Sequence, residues 1–432
     1  MKNYIYKIST VVFSLFLLTV MGCKKEYKNP GGANEADILS SPRGLTGVTV
    51  GLQRVYASGR LGIIYNAVTA NGFVTNEILL LNQGNLPELQ LSTGGATVDG
   101  TNTILNNLWT SANKVIYDAD NVINNSAKLG DKSVASSLIA YASIFKALAI
   151  GNMAQYWESI PSSIGKDVTF ITRVNGFNRA IATIDNALAV IAANPMSAAT
   201  LSNLPVGIDV VNTLNALKAR YALFAGNYPL ALSSANLVDI TKRSTFNFDI
   251  LALNPIFETA TSSNNVFQPI NANLGLTGIF TPDPSDGRLL FHTSRNLTVA
   301  PLVRISGFGA TGQTAYPVYL PSEITLIRAE VLARQPDLTN ALAELNKVVT
   351  KTAAADPFGL GANLPALVGP FTQSELLGQI YRNRCIELYM SGLKLEDMRR
   401  FGLPLTDRKR NFFPYPFTER DNNTNTPKDP TF

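Results

Sequence analysis

The sequence is poor in the residues that most enzymes use to move protons or hold metals. It has one histidine, His292, and two cysteines, Cys23 and Cys385, in 432 residues. A lone histidine excludes His-rich metal sites and leaves a Ser-His-Asp triad a single candidate base, and no Gly-x-Ser-x-Gly elbow accompanies it. Two cysteines allow one bridge at most, so the fold must rest on a large core. Charged residues make up 16%, so the surface must draw heavily on Asn, Ser, Thr and Gly. No cluster of Lys and Arg interleaved with aromatics occurs, which argues against a nucleic-acid partner. No metal or cofactor is expected.

What is present begins with an apolar run. Lys2 and Lys7 precede Ile8–Met21, a stretch of signal-peptide length and too short to span a bilayer, which takes about 20 apolar residues. It ends in Val20-Met21-Gly22-Cys23, the lipobox pattern of a small residue before a cysteine that is acylated and becomes the new N-terminus. Residues 1–22 are therefore expected to be a lipoprotein signal peptide, with Cys23 as the lipidation site. Each acyl chain contributes about 0.8 kcal/mol per buried CH₂, and stable anchoring takes more than one chain. Loss of Lys2 and Lys7 brings the formal charge from +5 to about +3, close to neutral. Residues 23–40 read as a polar tether, and 41–432 as a single body.

Helical periodicity dominates that body. Ile104, Leu108, Ala112, Val115, Ala119 and Val122 recur at three- and four-residue steps, as do Leu138, Ala142, Phe145 and Ala149, and again Phe177, Ile181, Ile184, Leu188 and Ile191. Segments 214–236 and 324–346 align without a gap, Leu214 with Ile324, Ala219 with Ala329 and Asn236 with Asn346. Each reads as a helix, a tight turn and a second helix with small residues facing its partner, as in tetratricopeptide repeats. The texture divides the body into a helical and loop part over 41–240, an irregular lobe over 245–320 rich in Asn, Pro, Gly and Thr, and a repeat part over 321–432. Residues 60–100 and 355–372 also read as irregular, and insertions of this length in a helical frame are where binding surfaces are built.

The stretch IYRNRCIELYMSGLKLEDMRRFGLP (380–404) resembles the signature of the SusD/RagB family of outer-membrane nutrient-binding lipoproteins, with Arg384, Glu387, Leu388, Gly392, Asp397, Arg399 and Arg400 in place. Ser391, Lys394 and Met398 depart from it. FFPYPFTERDNNTN, DPSDGRLL and YWESIP are similar to further segments of that family, in the same order. The resemblance implies a mainly α, SusD-like fold: tetratricopeptide-like helical repeats form a superhelical frame that supports an irregular, loop-rich lobe with short strands. It also implies a non-catalytic protein of the cell outer membrane. Such a protein captures an oligosaccharide or a peptide and serves as the lid of a SusC-like TonB-dependent transporter. A lipid-anchored scaffold that binds only proteins is the competing reading.

Glycan recognition calls for aromatic faces flanked by hydrogen-bonding side chains. In the first irregular segment the candidates are Tyr65, Phe73, Asn76, Glu77, Asn82 and Gln83. In the second they are Phe280, Asp286, Arg288, Phe291 and Tyr316. Trp109 reads as core; Trp157, at a helix end, is expected to be partly exposed, and His292 to lie in the lobe or on the surface. GFGATG (307–312) reads as a loop, because the prolines that follow forbid the helix a dinucleotide site requires. Glu387, Glu396 and Asp397 alternate with arginines, which suits salt bridges, including an Arg384–Glu387 pair at i,i+3, better than glycosidase carboxylates.

Overall fold

Side-chain caps set most of the helix starts. Asn102 accepts from the backbone N–H of Ile104 and Leu105, Asp131 from Ser133 and Val134, Asp209 from Asn212 and Asp337 from Asn340. Thr372 and Glu375 form a reciprocal capping box. The computed structural model describes residues 34–263, 265–297, 300 and 302–432. Cys23 and the predicted signal peptide lie outside the described residues, as does most of the tether, whose last residues form a short helix, Glu35–Leu39.

Residues 39–432 form one unit. Its principal helices are α1 (Pro42–Ala57), α2 (Ile63–Val74), α3 (Thr103–Ser126), α4 (Lys132–Tyr156), α5 (Arg173–Ala193), α6 (Val210–Phe224), α7 (Tyr228–Asn236), α8 (Pro321–Arg334), α9 (Leu338–Val349), α10 (Gln373–Glu387) and α11 (Lys394–Arg400). From α3 to α9 each packs on the next, and α10 closes on α8 and α9. The two aligned segments are the hairpins α6–α7 and α8–α9, adjacent through α7 and α8. Alanines 112, 119, 219, 222, 329 and 341 are fully buried and let neighbouring helices approach closely. At Gly151 of α4 a Cβ would fall 2.2 Å from the Tyr221 ring of α6, so only glycine permits that crossing. Helix α4 is long and apolar enough to cross a membrane, but it is buried nearly along its length among α1, α3, α5 and α6, which accounts for its composition.

The strands form two-stranded antiparallel ribbons: β1 (Ile78–Leu80) with β5 (Phe267–Pro269), β2 (Ser159–Pro161) with β3 (Phe170–Thr172), β4 (Thr245–Phe246) with β8 (Tyr316–Pro317), and β6 (Thr293–Arg295) with β7 (Val303–Ile305). Ribbons this short depend on the frame beneath them.

Two expectations are corrected. Residues 60–100 are not irregular throughout: they hold α2, β1 and a further helix, Leu86–Thr93. Trp157 is fully buried, because the C-terminal tail returns over it; its indole N–H donates to the Pro414 carbonyl at 3.0 Å, and the Phe413 N–H to Tyr156 at 2.9 Å. His292 lies in the lobe, one of the two places expected for it, and is buried there, its ring 5.4 Å from that of Tyr389.

Candidate functional site

The β1–β5 ribbon, which pairs Ile78 with Pro269 and Leu80 with Phe267, joins the first candidate segment to the lobe. At its end Asn76 adopts φ +58°, and the loop from Asn271 folds over it so closely that a Cβ on Gly275 (φ +75°) would lie 1.8 Å from the Asn76 carbonyl. The turn beginning at Asn82, where Asn82 accepts from the Gly84 N–H, lies directly beyond β1. Within the lobe, Phe280 packs edge-to-face on Tyr381 of α10 at 4.9 Å, and Phe291 on Phe308 at 5.0 Å.

Gln83 is exposed, and Asn76, Asn82, Phe280 and Phe291 are partly so. Tyr65, Phe73, Glu77, Asp286, Arg288 and Tyr316 are buried and hold the face up from beneath. Tyr65 donates to Glu88, which also pairs with Arg60; Phe73 packs on Phe267. Glu77 accepts from Asn71 at 2.7 Å, and burial raises its pKa against the opposing charge of Lys394. Tyr316 donates to the Met390 carbonyl at 2.7 Å.

Arg288 carries the main polar link between lobe and frame. It forms a fork with Asp286 (2.7 and 2.9 Å) and reaches Asn383 at 2.8 Å and Glu387 at 3.2 Å, both on α10. Beside it, Arg384 makes a bidentate pair with Asp397 (2.9 and 3.0 Å), and Arg400 one with Glu330 of α8 (2.7 and 2.9 Å). Burial acts to raise the Glu330 pKa, but Arg400, Arg384 and Arg334 override it and hold it near 2. The expected Arg384–Glu387 pair is therefore replaced: the two side chains diverge, one to Asp397 and one to Arg288. Gly392, at φ +79°, accepts from the Tyr156 hydroxyl at 2.6 Å and turns the chain into α11.

Arg382, Ile279, Asn271 and Asn273 are further solvent-reached residues of this region and were not among the sequence candidates. Ile279 is 82% exposed beside Phe280. Arg382 is half-buried, with Asp283 and Asp286 as its acidic neighbours. Its position was available in principle: two residues from buried Arg384 on a helix, it must point nearly the opposite way. Between lobe and frame lies an internal cavity of about 60 Å³ lined by Tyr56, Gln155, Arg220, Tyr316 and Glu323, room for a few waters.

No family model and no curated protein matches the sequence. Solved structures do. A SusD superfamily protein from Bacteroides thetaiotaomicron superposes with a TM-score of 0.69 at 15% identity, over 90% of this chain and 100% of the other. The chain has the SusD fold. A SusD superfamily protein from Bacteroides vulgatus gives 0.68 at 14% identity, covering 90% and 99% of the two chains. A SusD-like carbohydrate-binding protein from Bacteroides fragilis gives 0.64 at 12%, covering 85% and 87%. The SusD-like frame of paired helices and the lobe of short ribbons are those expected from the 380–404 stretch.

Proposed function

We propose that the protein is a cell-surface glycan-capture lipoprotein. In this reading it is anchored in the outer membrane through acylated Cys23 and acts without catalysis as the lid of a TonB-dependent transporter. The observation that carries the binding role is the pairing of two Asn-rich segments, more than 180 residues apart, by the β1–β5 ribbon, which sets the turn with exposed Asn271 and Asn273 against Asn76. Solved relatives in fold that are described as carbohydrate-binding proteins support the choice of glycan over peptide. Asn76, Asn82, Gln83 and Arg382 would bond hydroxyls, with Phe280 and Phe291 as apolar contacts. The lipobox supports the anchor, and the 380–404 resemblance supports the transporter partnership.

The test is binding of the purified protein to an array of oligosaccharides, with product analysis on each hit. One glycan class should bind and be recovered unchanged. The double variant Gln83→Ala, Arg382→Ala should weaken it about tenfold or more, a loss of roughly 1.4 kcal/mol, without altering thermal unfolding. Turnover of the glycan, or an affinity indifferent to both substitutions, overturns the reading.

A further inference from the structure

Both tryptophans of the chain meet in one cluster far in sequence from the lobe. Trp109 of α3 and Trp157 lie with ring centroids 4.8 Å apart, and Phe170 of β3 stacks on Trp109 at 6.3 Å and 19°. Above them runs a surface groove of about 260 Å³ lined by Trp109, Thr110, Asn113, Ser163, Thr418 and Glu419, among others. Its walls come from α3, the β2–β3 loop and the C-terminal helix Phe417–Asn422.

The groove is held open by its own hydrogen bonds. Asn423 donates to the Val168 carbonyl at 3.1 Å, Asn425 to the Asp167 carbonyl at 2.7 Å, and the Thr424 N–H to the Asp167 carboxylate at 3.0 Å. The tail thus fastens the β2–β3 loop in place. Glu419 is fixed in the same way: one carboxylate oxygen accepts from the Trp109 indole N–H at 3.0 Å, the other from Asn423 at 2.9 Å. A carboxylate has about four acceptor sites, so each oxygen keeps one for a ligand, side by side as two adjacent hydroxyls would require. Asn113 uses one amide N–H on the Trp109 carbonyl at 3.1 Å and keeps its carbonyl oxygen. The hydroxyls of Thr110, Ser163 and Thr418 make no side-chain bond among the described residues. No Lys or Arg lines the groove among the described residues, which disfavours an anionic ligand.

We propose that this groove is a binding site for a neutral polyhydroxylated ligand of one or two sugar rings, with Glu419 and Asn113 as its polar anchors. The site shares no residue with the lobe face and does not rest on the function proposed for it.

The tryptophan pair supplies the readout, because every tryptophan of the chain lies in the cluster beneath the groove. Glucose, galactose, N-acetylglucosamine, maltose and lactose would be titrated into the intact protein at millimolar concentrations, with glucuronate as the anionic control. At least one neutral sugar should give a saturable change in tryptophan emission, and glucuronate none. Asn113→Ala and Glu419→Gln should each raise the apparent Kd about tenfold, the effect of losing a good hydrogen bond. Since Glu419 also fastens the tail, a third variant is independent of stability: Ser163 is exposed, and Ser163→Tyr should block the groove, abolish the response and melt like the parent. Silence toward all five sugars, an equal response to glucuronate, or a response that survives Ser163→Tyr overturns the proposal.

Discussion

Arg384→Met is expected to lower the unfolding free energy by about 3–5 kcal/mol, a large share of the roughly 5–15 kcal/mol that holds an ordinary domain together. Arg384 is fully buried and neutralises two carboxylates that water does not reach, Asp397 at 2.9 Å and Glu330 at 4.0 Å. Methionine would fill much of the volume but leave Asp397 and Glu330 sharing only Arg400 and Arg334, which already serve them. The cost is that of an uncompensated buried charge, not of one lost contact. The effect should reach beyond α10, because Glu330 stands on α8 and Asp397 on α11, so three elements lose a shared anchor. Arg384→Lys should recover only part of the loss, since a single ammonium cannot reproduce the two parallel bonds to Asp397. Urea unfolding of the three proteins at one pH measures this; a cost below about 1 kcal/mol for Arg384→Met would show that the cluster is spectator chemistry.

Acid should weaken the protein early through His292, while buried Glu77, whose pKa is raised, acts the other way where only the folded chain protonates it. Burial, reinforced by the nearby Arg288 guanidinium, pushes the His292 pKa down to about 3, against a bond to the Ile386 backbone that favours the charged form. Its Nε2 has no hydrogen-bond partner among the described residues, and the ring lines a cavity of about 20 Å³ together with Ile305, Ser306, Phe308, Tyr316 and Tyr389. The unfolded chain takes up a proton near pH 6.5, whereas the folded chain takes it up only near 3. Between those values the unfolded state holds the extra proton, so stability falls as the pH falls. The loss is about 1.4 kcal/mol per pH unit, or roughly 2–3 kcal/mol by pH 4.5. Glu330, held near 2 in the folded state, adds its own loss only below about pH 4.5. As the only histidine in the chain, His292 owns the window from 6.5 to 4.5 among the side chains whose ordinary pKa lies there. His292→Gln keeps a neutral polar side chain and should flatten that part of the curve. Unfolding free energies at pH 7 and pH 4.5 that differ equally in both proteins would contradict the assignment.

The helices were legible where they are amphipathic. Ile104 through Val122 announces α3 because one face is buried and the other meets water. Helix α2 escaped because it is short and every residue from Ile63 to Val74 is buried, which leaves no polar face to mark it, whereas the similarly buried α4 runs for 25 residues. The α6–α7 and α8–α9 hairpins were visible as a repeat because stacking imposes the same small residues on both. Contacts made across the chain were not visible. The burial of Trp157 depends on Pro414, and that of His292 on Tyr389, neither signalled by local spacing. The same limit governed the site. Asn82 and Gln83 could be picked as polar loop residues, but which neighbours of the ribbon face inward depends on the β1–β5 register. Tyr65 and Arg288 have the chemistry of ligand contacts and serve instead as buried supports, paired with Glu88 and Glu387.

In the proposed function it is the lobe face beside the β1–β5 ribbon that takes up the glycan. Hydrogen–deuterium exchange with and without a glycan found on the array tests it most directly. Bound glycan should slow exchange in peptides spanning 76–85 and 270–282 and at the exposed side of α10 near Arg382, with the buried helices unchanged. Protection confined to other segments, with 76–85 and 270–282 exchanging as in the free protein, would contradict it.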